Sequence, residues 1–297
     1  MTQAEPGLRT LDHVIVAVRE LDAAAAAYQT LLGREPSWRG AHPAWGTANV
    51  LFRMANTYLE LVAPSGEGAF ATELSRRLAR DGEGLTGMAF GTDDADACAA
   101  AFRARGLPAS DPQPGSGRDE ASGRERRWRN VWLPRGPARG VLLFAIEHLS
   151  PSDALPPAAL RVERDAAVEA LDHVVVESAD LEASRTLYGD ALGVRLALDR
   201  RFEARGLRIL FFRVGGVTLE LVGRLGPPPE RAEGADTDRL SGLAWRTPDV
   251  DAARARLAAA GVDVSEVRPG RKPGTRVCTV RSGTCGVATL LIGPGPA

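Results

Sequence analysis

The chain has 297 residues, 44% of them hydrophobic and 25% charged, and a net charge of −1. That length allows two domains with an ample core, and the near-neutral balance argues against nucleic acid or a membrane surface as partner. No apolar run approaches the ~18 residues of a spanning helix, and Met1 to Pro6 lacks the pattern of a secretory leader. Of the three cysteines, Cys98, Cys278 and Cys285, the last two could meet across a hairpin, but all three read first as buried free thiols of a cytoplasmic protein.

In chain order, residues 14–18 form a short, apolar, β-branched run, which predicts a strand. An Ala-rich segment over 21–32 predicts a helix, with Tyr28, Leu31 and Leu32 at helical spacing and Gly33 as its stop. Strands are expected over 48–54 and 57–62, joined by a tight turn at Ala55-Asn56. A second kind of unit follows: a strand over 85–90, a helix over 93–105 ended by Gly106, and strands over 126–133 and 141–149. Residues 115–123, rich in Gly, Ser, Asp and Glu, read as a solvated hairpin loop or a partly disordered segment. The Pro-rich stretch 150–157 and the mixed run to Glu169 form a linker.

Then the chain starts again. Leu11-Asp12-His13-Val14 returns as Leu171-Asp172-His173-Val174, Tyr28 as Tyr188, Leu32-Gly33 as Leu192-Gly193, and Leu59-Glu60-Leu61-Val62 as Leu219-Glu220-Leu221-Val222, all at 173 − 13 = 160. Leu85-Thr86-Gly87 returns as Leu240-Ser241-Gly242, at 242 − 87 = 155, with a helix over 250–260 after it. Residues 227–238, opening on three prolines, are expected as another loop. The order is four βαβββ-type modules, A, B, A′ and B′, in an α+β protein, with a first domain over 8–155 and a second over 166–297.

On Leu-Asp-His at the first strand, Tyr-x-x-x-Leu-Gly at the helix end and Leu-Glu-Leu on the last strand, the chain resembles the vicinal oxygen chelate superfamily, which includes glyoxalases, bleomycin-resistance proteins, epimerases and extradiol dioxygenases. Residues 40–49 followed by Tyr58-Leu59-Glu60 add a resemblance to a glyoxalase-like subgroup. The resemblance implies paired modules in two cup-shaped, half-open mixed β-sheet barrels, each around a metal.

Strand alternation puts His13, Ile15 and Ala17 on one face, and Tyr58, Glu60 and Val62 on one face. A carboxylate aimed into a concave sheet needs a partner. A divalent Zn, Fe, Mn, Ni or Co ion would be one; a buried His–Glu hydrogen-bonded pair is the other reading. The resemblance implies ligands His13, Glu60 and Glu147 in the first half, against only His173 and Glu220 in the second; pairing A with A′ would instead join His13, Glu60, His173 and Glu220. Glu60 or Glu220 would be the proton shuttle of a lyase or isomerase, ahead of a dioxygenase. The alternative is a metal-free small-molecule-binding or drug-sequestering protein, as monomer or homodimer. His42 and Trp45, in a Pro/Trp/Gly loop, and Arg127 and Trp128, on a strand alternating charge and aromatics, are candidate substrate contacts. For His42 the other reading is a loop anchor, and for the strand a solvated outer strand. The first half is expected to hold the site, with Leu290 or Leu291 filling the equivalent space in the second.

Overall fold

The computed structural model describes residues 7–226 and 238–295. The loop expected after Pro227 lies outside them. Module A runs β1 (Thr10–Ala17), α1 (Leu21–Leu32), β2 (Trp38–His42), β3 (Thr47–Arg53) and β4 (Tyr58–Pro64). A helix not anticipated from sequence, α2 (Ala69–Asp81), leads to module B: β5 (Gly84–Gly91), α3 (Ala95–Ala104), β6 (Gln113–Asp119), β7 (Glu125–Trp132) and β8 (Leu142–His148). The second half follows as β9 (Ala170–Ser178), α4 (Leu181–Arg185) widening into a π-helical segment (Thr186–Ala191), β10 (Arg195–Phe202), β11 (Leu207–Val214), β12 (Val217–Arg224), β13 (Asp238–Arg246), α5 (Val250–Ala259), β14 (Arg268–Pro269), β15 (Thr275–Val280) and β16 (Ala288–Pro294).

Each half is one eight-stranded mixed sheet, and modules pair within halves: β1 lies antiparallel to β5, and β9 to β13. Within a module the first and last strands are parallel, as in β1–β4 and β5–β8. The first sheet goes further than a half-open cup and closes, in the order β1-β4-β3-β2-β6-β7-β8-β5. The closing seam is short: Gly40 opposite Asp119 and Ala41 opposite Arg118. It forms from the segment expected to be a loop. Gly40, Gly115 and Gly117 there are packing residues: a Cβ on Gly115 would lie 2.3 Å from Trp128 Nε1, and one on Gly40 2.7 Å from the Arg118 carbonyl oxygen. In the second half, β14 is only two residues long and does not reach β10, so that sheet stays open.

The outward faces of both sheets and the helices form one continuous apolar core. Val14, Val16, Leu59 and Leu61 belong to the same cluster as Val174, Val176, Leu219 and Leu221. Polar contacts cross the same boundary. The Arg256 guanidinium donates to the Thr30 and Leu31 carbonyls, capping α1 from the other half. Tyr28 Oη donates to the Thr284 carbonyl at 3.1 Å, and the Asn56 amide donates to the Leu171 carbonyl at 2.8 Å while accepting its N–H at 3.0 Å.

A separate cluster fills the inside of the first barrel. There α2 stops one end, with Leu74 and Leu78 against Ile15, Ala17 and Val62. Leu155, from the linker, packs on Trp38, Leu51 and Tyr58. The cysteines are free, Cys98 and Cys278 buried. No described helix is long and apolar enough to cross a membrane.

Candidate functional site

The barrel interior holds a cavity of about 60 Å³ among β1, β3, β4, β7, β8 and the His42 loop. His13 is 3% exposed. Its Nδ1 lies 2.7 Å from Asp12 Oδ1, and its Nε2 lies 3.5 Å from Glu60 Oε2. Adjacent residues on a regular strand point opposite ways. Here Asp12 is the extra residue of a β-bulge, since Leu11 pairs with Phe90 and His13 with Ala89. The bulge turns the carboxylate back to its neighbour. Asp12 Oδ2 also meets His148 Nε2 at 2.9 Å. Burial raises the Asp12 pKa, but bonding and charge from His13 and His148 outweigh it and hold the carboxyl well below the usual range. An ionised carboxylate only accepts, so Asp12 puts a proton on His13 Nδ1 and leaves Nε2 facing Glu60.

Glu60 is oriented from its other side: Asn49 Nδ2 donates to Glu60 Oε1 at 2.7 Å. Tyr58 stacks on the His13 ring at 4.4 Å, and Phe144 meets it edge-on at 5.5 Å. Burial, with Asp12 and Glu60 nearby, pushes the Tyr58 phenol far up, against the pull of Arg126. His42 lies near Thr47 Oγ1 at 3.2 Å. Burial lowers its pKa, Glu60 opposes this and Arg126 adds to it. Trp45 is tilted against His42 at 5.2 Å and meets Trp132 edge-on at 6.3 Å. His42, Trp45 and Trp128 all line the cavity.

Two residues singled out from the sequence lie elsewhere. Glu147 is on the outer face, bound to Arg129 at 2.5 Å and accepting the Ala95 N–H at 3.2 Å at the start of α3. Ile146 and Phe144 take the inward positions on β8. Arg127 is exposed on the outside of β7, where strand alternation sends it when Trp128 faces in. The inward arginine is Arg126, 6% exposed and within 5.5 Å of the Trp38 and Tyr58 rings and 5.9 Å of Trp128. It shares parity with Trp128, Asn130 and Trp132, so the signal was present. Asp12 also had a signal, beside the histidine in both copies. Asn49 and Asn130 are buried as well, each with an Oδ1 that lacks a hydrogen-bond partner.

The second half keeps the couple in weaker form. His173 Nδ1 is 2.9 Å from Asp172 and 4.0 Å from Glu220 Oε1. At the offset of 160, Asn49 becomes Ile209, His42 becomes Phe202 and Tyr58 becomes Thr218 (49 + 160 = 209, 42 + 160 = 202, 58 + 160 = 218). The support around the couple is therefore gone. Leu290 is half-buried, whereas Leu291 is fully buried in the shared core and fills no cup. Since A and A′ belong to different sheets, His13 and Glu60 do not meet His173 and Glu220.

The family model of the glyoxalase-like domain matches residues 11–168, more than half of the chain. The chain belongs to the glyoxalase-like family. Residues 172–279 of this glyoxalase-like protein match the model of the glyoxalase/bleomycin resistance protein/dioxygenase superfamily. Over 59 residues it is 41% identical to an ethylmalonyl-CoA/methylmalonyl-CoA epimerase of Cereibacter sphaeroides, a stretch that is 20% of this chain and spans 44% of that relative, less than half its length. Its fold is similar to that of a triple mutant of 4-hydroxymandelate synthase from Streptomyces coelicolor, with a TM-score of 0.69, 19% identity and coverage of 98% and 94% of the two chains. The Mn(II)-bound glyoxalase of Novosphingobium aromaticivorans is similar too, with a TM-score of 0.61, 16% identity and coverage of 97% and 83%. At these identities the likeness is one of fold.

The fold family implies a metal, and the donor set decides whether these residues fit one. A transition-type ion is held by three or four protein ligands. In the first barrel His13 and Glu60 converge, but Ala89, Phe144 and Ile146 form the apolar wall of the same interior. Among the described residues no three His, Cys, Asp or Glu side chains are grouped to hold an ion. The ligand set with Glu147 is therefore not assembled, and the residues do not fit the metal.

Proposed function

We propose that this protein is a small-molecule enzyme of isomerase or lyase type, whose His13–Glu60 couple moves a proton at a carbon beside a carbonyl or carboxyl group. The observation that carries the reading is the Asp12–His13–Glu60–Asn49 chain, fixed at both ends inside an aromatic barrel. Glu60 Oε2 takes the proton from carbon. His13, 3.5 Å away and oriented by Asp12, exchanges a proton with that carboxyl and delivers one to the substrate. Trp45, Trp128 and Phe144 surround the couple with rings, and a low-dielectric site strengthens each charge interaction. The second half is structural in this reading.

His13 and Glu60 lack a third ligand among the described residues, so this reading contains no Lewis-acid metal. A metal-free binding protein is the second reading, favoured by the aromatic walls of the cavity. Solvent deuterium exchange into small carbon acids, followed by proton NMR, separates the two. Glu60→Gln should slow exchange by about 10²–10⁴-fold without abolishing binding, and Glu220→Gln should leave it nearly unchanged. Equal exchange in wild type and Glu60→Gln would remove the enzyme reading. Binding without exchange would support the second one.

A further inference from the structure

We infer that the barrel binds a small hydroxycarboxylate, with its carboxylate on Arg126 and its hydroxyl on Asn49; the inference rests on reading the first barrel as the working site. Arg126 lines the barrel cavity. It is 6% exposed, and no Asp or Glu among the described residues pairs with it. Partly buried arginines elsewhere are neutralised or bonded: Arg139 reaches Asp238 at 3.1 Å, and Arg34 donates to the Val168 and Ala158 carbonyls. Arg126 instead has the rings of Trp38, Tyr58 and Trp128 and a hydrogen bond to the Tyr58 hydroxyl. Rings attract a cation but accept few of its five N–H bonds. A buried cation without a counter-charge is costly, and a carboxylate matches the guanidinium fork in two parallel bonds.

Asn49 lies on β3 beside the base. Its Nδ2 is committed to Glu60 at 2.7 Å, which fixes which end of the amide is oxygen. Its Oδ1 is buried without a donor, as is Asn130 Oδ1, and both residues line the cavity. Buried acceptors left unpaired cost free energy, and a ligand hydroxyl satisfies one. That hydroxyl lies next to Glu60, so the carbon bearing it is the one presented to the base.

Charge and size narrow the ligand. One guanidinium with no carboxylate in contact offers one fork, which a single carboxylate fills. A phosphate dianion would bring a second negative charge toward Glu60 with no second cation. The cavity, about 60 Å³, is small beside the ~300–1,000 Å³ of drug-sized sites, which points to a molecule of a few heavy atoms.

The test titrates the full chain with lactate, lactamide, propionate and inorganic phosphate, read by tryptophan fluorescence and calorimetry. Four of the five tryptophans, Trp38, Trp45, Trp128 and Trp132, belong to the first half. Lactate should bind at least about tenfold tighter than lactamide, propionate or phosphate. Arg126→Met should erase the preference for lactate over lactamide, Arg126→Lys should retain part of it, and Asn49→Ala should erase the preference over propionate. Equal binding of lactate and lactamide, tighter binding of phosphate, or no saturable lactate binding would overturn the inference; these comparisons use the wild type and do not depend on a variant folding. Glu60→Gln should still bind lactate. Lactate binding without deuterium exchange would therefore sink the enzymatic reading alone, and exchange on neutral ketones without lactate binding would sink this inference alone.

Discussion

Asn56 joins the two halves through one side chain, and replacing it measures how far they fold as one. In Asn56→Ala, the bonds at 2.8 Å to the Leu171 carbonyl and at 3.0 Å from its N–H are both lost. Leu171 is fully buried, so water cannot readily replace either partner. Two neutral hydrogen bonds at about 1 kcal/mol each, plus stranded backbone groups, give a loss of about 2–4 kcal/mol. For a chain of this length, at ~2.1 cal/mol/K per residue, that lowers Tm by about 3–6 °C. The variant has no turn strain to confuse the result, because Asn56 is not among the positive-φ residues. Urea unfolding followed by fluorescence and far-UV circular dichroism is the assay. Because the core is shared, both probes should report one transition that moves to lower urea. A loss below about 0.5 kcal/mol, or two wild-type transitions of which one shifts, would show that Asn56 does not bind the halves into one folding unit.

Gly115→Ala should cost about 1–3 kcal/mol by overpacking against Trp128, whereas Gly136→Ala, with open space around its Cβ, should be near neutral in the same urea titration. Glu147→Gln should lower stability by about 1 kcal/mol or less and leave ligand affinity unchanged, since its partner Arg129 is on the outer face. The folded-state pKa of Asp12 is depressed, so its contribution is present above the ordinary carboxylate value and lost as pH falls through the folded value. Asp12→Asn should therefore be less stable than wild type at neutral pH, with the gap narrowing only below about pH 4. His42 is depressed by burial, so protonation favours the unfolded chain, and wild type should lose stability below about pH 6.5 while His42→Leu shows a flatter slope.

The exact repeat made the fold legible. Fifty residues in one register located His13 and Glu60, His173 and Glu220, and the strand phase put the first couple inside the barrel. The bulge was not legible, because alternation assigns Asp12 to the opposite face from His13; only the β5 register brings the two together. Glycine content misled for β6, where Gly115 and Gly117 suggested a loop but serve to let the strand pass under Trp128. The α2 helix carried a readable pattern in Ala71, Leu74 and Leu78. Glu147 failed for a different reason: its family-like setting suggested a ligand, while Phe144 and Ile146 had already claimed the inward parity of β8.

The unequal closure of the two sheets also decides where the chain is vulnerable to its own copies. A closed barrel leaves no row of free N–H and C=O groups for another strand to join. Among the described residues the open sheet has two such margins. One is β14, only Arg268 and Pro269, too short to template a partner and interrupted by proline. The other is β10, eight residues long, with Leu198 exposed. On it Arg195, Asp199, Arg200 and Arg201 are all exposed, and like charges facing each other across an in-register pair of β10 strands repel. The charges on β10 thus guard the margin that in the first half is guarded by the seam itself.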